Sequence, residues 1–256
     1  MMVSDILNLK ESLIVMAGPC SVESESQVLE TARALKRLGV NVLRGGAFKP
    51  RTYPESFQGL GEDGLKILAM AREETGMSIV TEAMDLESLR LVEKYADIIQ
   101  IGSRNSQNFP LLKAAGKTMK PVLLKRGFGN TIDELIGSSR YISMSGNNNI
   151  MLVERGIRTF ENSTRFTLDV SAVPVLHEKV NYPVIIDPSH PAGNSRYVEP
   201  LALAGIAAGA DGIIVEVHPD PSRALSDAAQ QLNLDQFSRL YSKIKEISRI
   251  MNKNVI

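Results

Sequence analysis

ALAGIAAGADGIIVEV, residues 202–217, is the stretch that decides the fold. It reads as a helix of small residues that feeds straight into a strand, Gly212–Val217, apolar almost throughout. Small residues let a helix lie close against a sheet. A strand without polar alternation is one covered on both faces, as parallel strands are. Seven more short, β-branched runs precede it: Leu13–Ala17, Val40–Leu43, Met77–Val80 and Asp97–Ile101, then Pro121–Leu124, Ile150–Val153 and Pro183–Ile186. Each is followed by a turn and an amphipathic stretch. In Glu25–Leu38, for instance, Val28, Leu29, Ala32, Leu35 and Leu38 share one face, Glu30, Arg33, Lys36 and Arg37 point away, and Gly39 ends the helix. Eight such units in about 250 residues predict a single-domain α/β (β/α)8 TIM barrel spanning 1–256, with a short N-terminal extension at 1–12. A doubly wound open sheet is the competing arrangement, but no GxGxxG follows the first run, and no linker or low-complexity segment divides the chain.

Composition narrows the function classes. Lys plus Arg and Asp plus Glu both total 29, so no global charge favours nucleic acid or a membrane as a partner. The single cysteine, Cys20, excludes an intrachain disulfide and suits a reducing compartment. The first residues, MMVSDILNLKESLIVMAGP, place acids ahead of an apolar run too short for a signal peptide, and nothing nears the ~18 apolar residues of a membrane span. A soluble, cytoplasmic protein is expected.

Polar clusters sit just past every predicted strand: GPCS (18–21), RGGAFKPRT (44–52), TEAMD (81–85), GSRN (102–105), KRG (125–127), ERGIR (154–158), DPSH (187–190) and EVH (216–218). In a barrel these strand ends meet on one face, where active sites are built. The cations among them are Arg44, Lys49, Arg51, Arg104, Lys125, Arg126, Arg155 and Arg158. Eight converging cations in a neutral chain imply a strongly anionic ligand, since guanidinium forks match phosphate and carboxylate oxygens. Cys20, His190, Glu216 and Asp227 form a second set. Thiolate, imidazole and carboxylates together suit a divalent metal such as Mn, Fe, Co or Zn. Singly, each also has a structural reading: a lone Cys is commonly a buried small hydrophobe and a lone His a satisfied core residue. Glu216 resists that reading, because a carboxylate ending an apolar run needs a partner to offset desolvation.

At these residues the chain resembles the 3-deoxy-D-arabino-heptulosonate 7-phosphate (DAHP) synthases of the microbial subgroup related to 3-deoxy-octulosonate 8-phosphate (KDO8P) synthases. The motifs that carry the resemblance are AGPCSVES, LRGGAFKPRT, QIGSRN, LLKRG, ERGIRTFE, DPSHPAG, AAGADGIIVEVHPDP and ALSDAAQ, in order over residues 15–231 or so. The resemblance implies condensation of phosphoenolpyruvate with D-erythrose 4-phosphate, the first step of the shikimate pathway to aromatic amino acids, and one divalent metal ion per subunit, Mn2+ foremost, with Fe2+, Co2+ or Zn2+ as alternatives. It makes Cys20, His190, Glu216 and Asp227 the metal ligands. Arg104, Lys125 and Arg155 would hold the phosphate of phosphoenolpyruvate, with Arg44, Lys49 and Lys125 near its carboxylate. Arg51 and Thr52 would bind the sugar phosphate. Lys49 and Lys125 are the candidate proton donors or acceptors, on the argument that a lysine among cations has a lowered pKa. A homodimer or homotetramer is implied. A barrel starting within twelve residues of the N-terminus leaves no room for the regulatory domain of amino-acid-sensitive relatives, so insensitivity to phenylalanine, tyrosine and tryptophan is expected.

The sequence departs from the family pattern in four places. Ser103 stands for a usual Ala; Tyr53, Pro54 and Glu55 follow KPRT in place of a small residue and Pro-Tyr. Pro191, Ala192 and Gly193 replace Gly-Thr-Gly, and Ser226-Asp227-Ala228-Ala229-Gln230 replaces SDGPQ. These touch the aldose side, so a KDO8P-synthase-like enzyme using arabinose 5-phosphate is an alternative, although KPRT stands where such enzymes carry a KANRS-type loop. A non-catalytic phosphometabolite-binding barrel and a Schiff-base aldolase are further readings. Retention of every ligand and lysine opposes the first. Lys125 beside Arg126, within a charged ring, opposes the second.

Overall fold

The computed structural model describes residues 12–256, so the expected extension lies outside the described residues except for Ser12, which already belongs to the first strand. Eight parallel strands run in chain order: β1 (Ser12–Gly18), β2 (Val42–Arg44), β3 (Ser78–Ala83), β4 (Ile98–Ile101), β5 (Val122–Lys125), β6 (Ile150–Glu154), β7 (Val184–Ile186) and β8 (Gly212–Glu216). Each neighbours the next, and β1 pairs with both β2 and β8, which closes the barrel. Every expected strand is present, displaced by no more than three residues at either end.

The helices wrap the outside. They are α1 (Glu25–Leu38), α2 (Glu62–Thr75), α3 (Leu86–Tyr95), α4 (Phe109–Ala115) and α5 (Ile132–Ser143), followed by α6 (Ala172–Lys179), the single turn α7 (Ser189–Ala192), α8 (Ser195–Ala207) and α9 (Leu234–Ile250). α1 has the expected bounds. Ser24 caps it by accepting from the Gln27 amide, and Gly39 ends it at a φ of 102°, a left-handed conformation that costs glycine nothing.

The missing alternation in the strands has a direct cause. In β1, Ile14 and Met16 point into the barrel with Val80, Leu123 and Ile214, while Leu13, Val15 and Ala17 pack outward under the helices; all are buried. With about 1.5–3 kcal/mol gained per fully buried aliphatic side chain, both faces select apolar residues. The small-residue helix behaves as its composition implies: α8 lies so close to β7 that a Cβ on Gly205 would come within 2.6 Å of the Ile186 side chain. One element was not expected. Asn254–Val255 forms β9, which pairs with Ser12 and Leu13 at the foot of β1.

Candidate active site

Strand parity builds the floor of the site. Two residues beyond the inward Val42, Val80 and Ile98 stand Arg44, Glu82 and Gln100; two beyond Leu123, Val153, Ile185 and Ile214 stand Lys125, Arg155, Asp187 and Glu216. The apolar barrel interior therefore ends in a polar layer at the C-terminal ends of the strands. Above it opens a cavity of about 390 Å³, walled by Lys49, Arg51 and Thr52 from the loop after β2, Arg104 after β4, and Arg158 and Arg165 after β6. Tyr53, from the unusual turn after KPRT, stands at its mouth, 69% exposed.

Eight cations line this cavity, but they are not the expected eight. Arg126 has outward parity and turns away, its Nη1 lying 2.8 Å from buried Glu154 Oε2 and 2.9 Å from half-buried Asp169 Oδ2 in an ion triad that braces the loop after β6. Arg165, from the polar stretch ENSTRF, takes its place. Three of the eight have carboxylate partners: Arg44 with Glu216 at 3.0 Å, Lys125 with Asp187 at 2.6 Å, and Arg165 with Asp227 at 3.3 Å. Lys49, Arg51, Arg104, Arg155 and Arg158 have none within 4.0 Å among the described residues.

Arg155 is the extreme case. It is 3% exposed, and burial pulls its guanidinium down to about 10. Aromatic faces hold it: its guanidinium carbon lies 4.9 Å from the Phe128 ring centre and 4.3 Å from that of Phe166, and these two rings stack 5.3 Å apart. Arg104 and Arg158 approach the same Phe128 ring at 5.4 and 5.2 Å. Apart from a 3.4 Å bond from Nη1 to the Gly156 carbonyl, this buried cation, held by π faces rather than by a carboxylate, keeps its donors for an incoming anion.

The second corner of the cavity lies at the seam of β8 and β1. Ligand atoms of Cys20, Glu216 and Asp227 fall within 4.8 Å of one another. His190 joins them, its Nε2 3.5 Å from Glu216 Oε1, while its Nδ1 is taken by Asp187 Oδ2 at 2.7 Å. That carboxylate–imidazole contact is the usual support of a metal-ligating histidine, leaving Nε2 free. Asp227 reaches inward from a left-handed backbone, φ 47°. A buried thiol and two carboxylates gathered within 4.8 Å, with an imidazole beside Glu216, are the donor types a divalent transition metal takes, and these four residues could hold one.

A sequence model described as the DAHP synthetase I family matches residues 4–253. The chain belongs to that family. It is 55% identical over 241 residues to the Thermotoga maritima phospho-2-dehydro-3-deoxyheptonate aldolase, covering 94% of this chain and 71% of that one. It is 33% identical over 258 residues to a 2-dehydro-3-deoxyphosphooctonate aldolase of Syntrophotalea carbinolica, covering 94% and 92%. Two solved structures superimpose closely. The crystal structure of the T. maritima DAHP synthase gives a TM-score of 0.93 at 53% identity, over 96% of this chain and 72% of that one. A truncated form of the T. maritima synthase gives 0.90 at 50%, over 96% and 90%.

The charge states refine this DAHP synthase site. Burial, with the nearby Glu216 charge, pushes the Cys20 thiol up to about 12. Burial lowers His190, against the pull of the Asp187 and Glu216 charges. Burial alone would raise Asp187, yet His190 and Lys125 hold it well below the usual carboxyl range. The expectation of a lowered lysine fails at Lys49. Burial acts in that direction, but Cys20 and Glu216 outweigh it and the ammonium is held above its ordinary value; its Nζ lies 3.0 Å from both the Cys20 carbonyl and Sγ. The neighbours that matter are acids, not the cation ring.

All eleven expected site residues therefore lie at one end of the barrel, around or directly beneath one cavity. Sequence reasoning missed Asp187, although the DPSH spacing of carboxylate and histidine was a usable signal. It also missed Arg165, Phe128, Phe166 and Glu82. Glu82 Oε2 accepts from Gln100 Nε2 at 3.1 Å, and its buried Oε1 has no hydrogen-bond partner among the described residues.

Proposed function

We propose that this chain condenses phosphoenolpyruvate with D-erythrose 4-phosphate to give DAHP and inorganic phosphate, with the site residues in the roles that follow. The observation that carries the reading is the set of five cations without carboxylate partners around one cavity. Two phosphates and a carboxylate bring about five negative charges near neutral pH. Arg104, Lys125 and Arg155 take the phosphate of phosphoenolpyruvate, Arg44 and Lys49 its carboxylate, and Arg51 and Thr52 the sugar phosphate at the mouth. Thr52 already accepts from Arg104 at 3.2 Å, which links the two anion subsites.

In the reaction the methylene carbon of phosphoenolpyruvate bonds to the aldehyde carbon, a proton goes to the aldehyde oxygen, and water adds at C2. The C2–O bond to phosphate then breaks. A divalent ion, Mn2+ foremost, held by Cys20, His190, Glu216 and Asp227 would supply Lewis acidity toward the aldehyde oxygen. The cationic walls fix both substrates in a reactive alignment and stabilise negative charge as it moves. Lys49, held charged, acts as electrostatic clamp and proton donor rather than base. Lys125 donates to Asp187 Oδ2 at 2.6 Å and so is tied to the His190 side of the site. Glu82 Oε1 accepts a hydrogen bond from the water that adds at C2.

The test uses phosphoenolpyruvate labelled with 18O at the bridging oxygen, turned over with erythrose 4-phosphate and Mn2+. All label is expected in the released phosphate; label retained in the sugar acid overturns the C–O cleavage and the reading built on it.

A further inference from the structure

Residues 230–232 run beside the end of β8. The Leu232 amide donates to the Glu216 carbonyl and the His218 amide donates to the Leu232 carbonyl, both at 2.9 Å. This stitch delivers two consecutive glutamines to the seam of the barrel, 2% and 1% exposed, neither of them a metal donor in the reading above. Gln230 Nε2 donates to Glu216 Oε2 at 2.6 Å, and its Oε1 accepts from Arg165 Nη1 at 2.9 Å. The same guanidinium nitrogen lies 3.3 Å from Asp227 Oδ1. Beside it, Gln231 Oε1 accepts from the Cys20 amide at 3.0 Å while its Nε2 donates to the carbonyl of Ser226, the residue before Asp227, at 2.9 Å.

The chemistry fixes which way the Gln230 amide faces. An ionised carboxylate only accepts and a guanidinium only donates, so NH2 must meet Glu216 and oxygen must meet Arg165. No other side chain of this size serves both ends. Leucine would leave a buried Glu216 oxygen unpaired, and a lysine would compete for the charge a metal needs. A glutamate would set a second carboxylate against the first. We propose that Gln230 is a positioning residue of the metal centre: a neutral bridge that holds Glu216 and, through Arg165, Asp227 in ligating geometry while leaving both carboxylates charged. This rests on the reading that Cys20, His190, Glu216 and Asp227 hold a divalent ion.

The experiment is a Co2+ titration of the metal-free protein, followed by the thiolate-to-cobalt charge-transfer band and the visible ligand-field bands. Wild type is expected to show both, and Cys20→Ala to lose the charge-transfer band. Gln230→Leu and the near-isosteric Gln230→Glu are each expected to weaken Co2+ binding by about tenfold to a hundredfold, the usual cost of losing an outer-shell partner, and to shift the ligand-field bands. Arg165→Met, which cuts the far end of the bridge, should weaken binding too. Should Gln230→Leu fail to fold, Gln230→Glu decides. Wild-type affinity and spectrum in a folded Gln230→Glu protein would overturn the role of Gln230. A wild-type protein without the charge-transfer band would instead overturn the metal reading on which it rests.

Discussion

Arg155 shows binding and stability opposed in one side chain. Its burial costs desolvation, no carboxylate lies within 4.0 Å of it among the described residues, and the more distant charges of Asp187 and Glu154, with the Phe128 and Phe166 faces, compensate only in part. Such a group earns its place through a ligand. Arg155→Leu is therefore expected to raise the KM for phosphoenolpyruvate by about tenfold to a hundredfold, the worth of a charged hydrogen bond. The same variant should lose most of the rise in unfolding temperature that phosphoenolpyruvate gives the wild type. An unchanged KM and an unchanged ligand-induced rise would place the phosphate elsewhere. Arg126 is the counter-example. In sequence it is as good a candidate, one residue from Lys125, but in a strand one residue is the difference between the two faces. The parity that separates them was legible: Arg155 stands two beyond inward Val153, whereas Arg126 stands one beyond Lys125 and meets the equally outward Glu154.

At the scale of elements, short local signals carried furthest. Ser24 before α1 and Gly39 after it are cap chemistry, and the strand runs were visible because both faces of each strand are buried. β9 was not visible, because two residues have no periodicity and its pairing with Ser12 and Leu13 spans the whole chain. What anchors that end is Asp211, just before β8. Its carboxylate takes His177 Nε2 and Lys253 Nζ at 2.8 Å and the Val184 amide at 2.9 Å. Burial would raise its pKa, but the hydrogen bonds from His177, Lys253 and Val184 prevail and lower it. A depressed carboxyl stabilises the fold above its unfolded pKa, about 3.9, and that contribution disappears as pH falls through the folded value. Asp211→Asn should thus cost about 3 kcal/mol at pH 7, the low end for removing one partner of a buried pair. The two proteins should converge in stability at pH values well below 3.9 or so. Denaturant unfolding at both pH values checks this; a gap that stays constant with pH would mean the ion pairs do not titrate with Asp211.

At the scale of the molecule, closure of the barrel is what turns scattered residues into a site. Cys20 and Glu216 are remote in the chain, yet Gly18 pairs with Glu216 in the β1–β8 register, and the candidate ligand atoms of Cys20, Glu216 and Asp227 gather across that seam. The rhythm of strands and helices made this legible, since closing an eight-stranded barrel gives β8 a second neighbour, β1, beside β7. Apart from Asp187, three residues before His190, the supporting contacts were not, because whether Arg165 or Gln230 touches a ligand residue depends on loop paths that no local pattern encodes. Tyr53, from the turn after KPRT, stands exposed at the mouth of the site. The decisive measurement is phosphate release from phosphoenolpyruvate by chelator-treated protein, before and after Mn2+ is restored, with erythrose 4-phosphate and with arabinose 5-phosphate in separate reactions. Turnover that requires both the metal and erythrose 4-phosphate is the expected result; turnover undiminished by chelation, or confined to arabinose 5-phosphate, would contradict it.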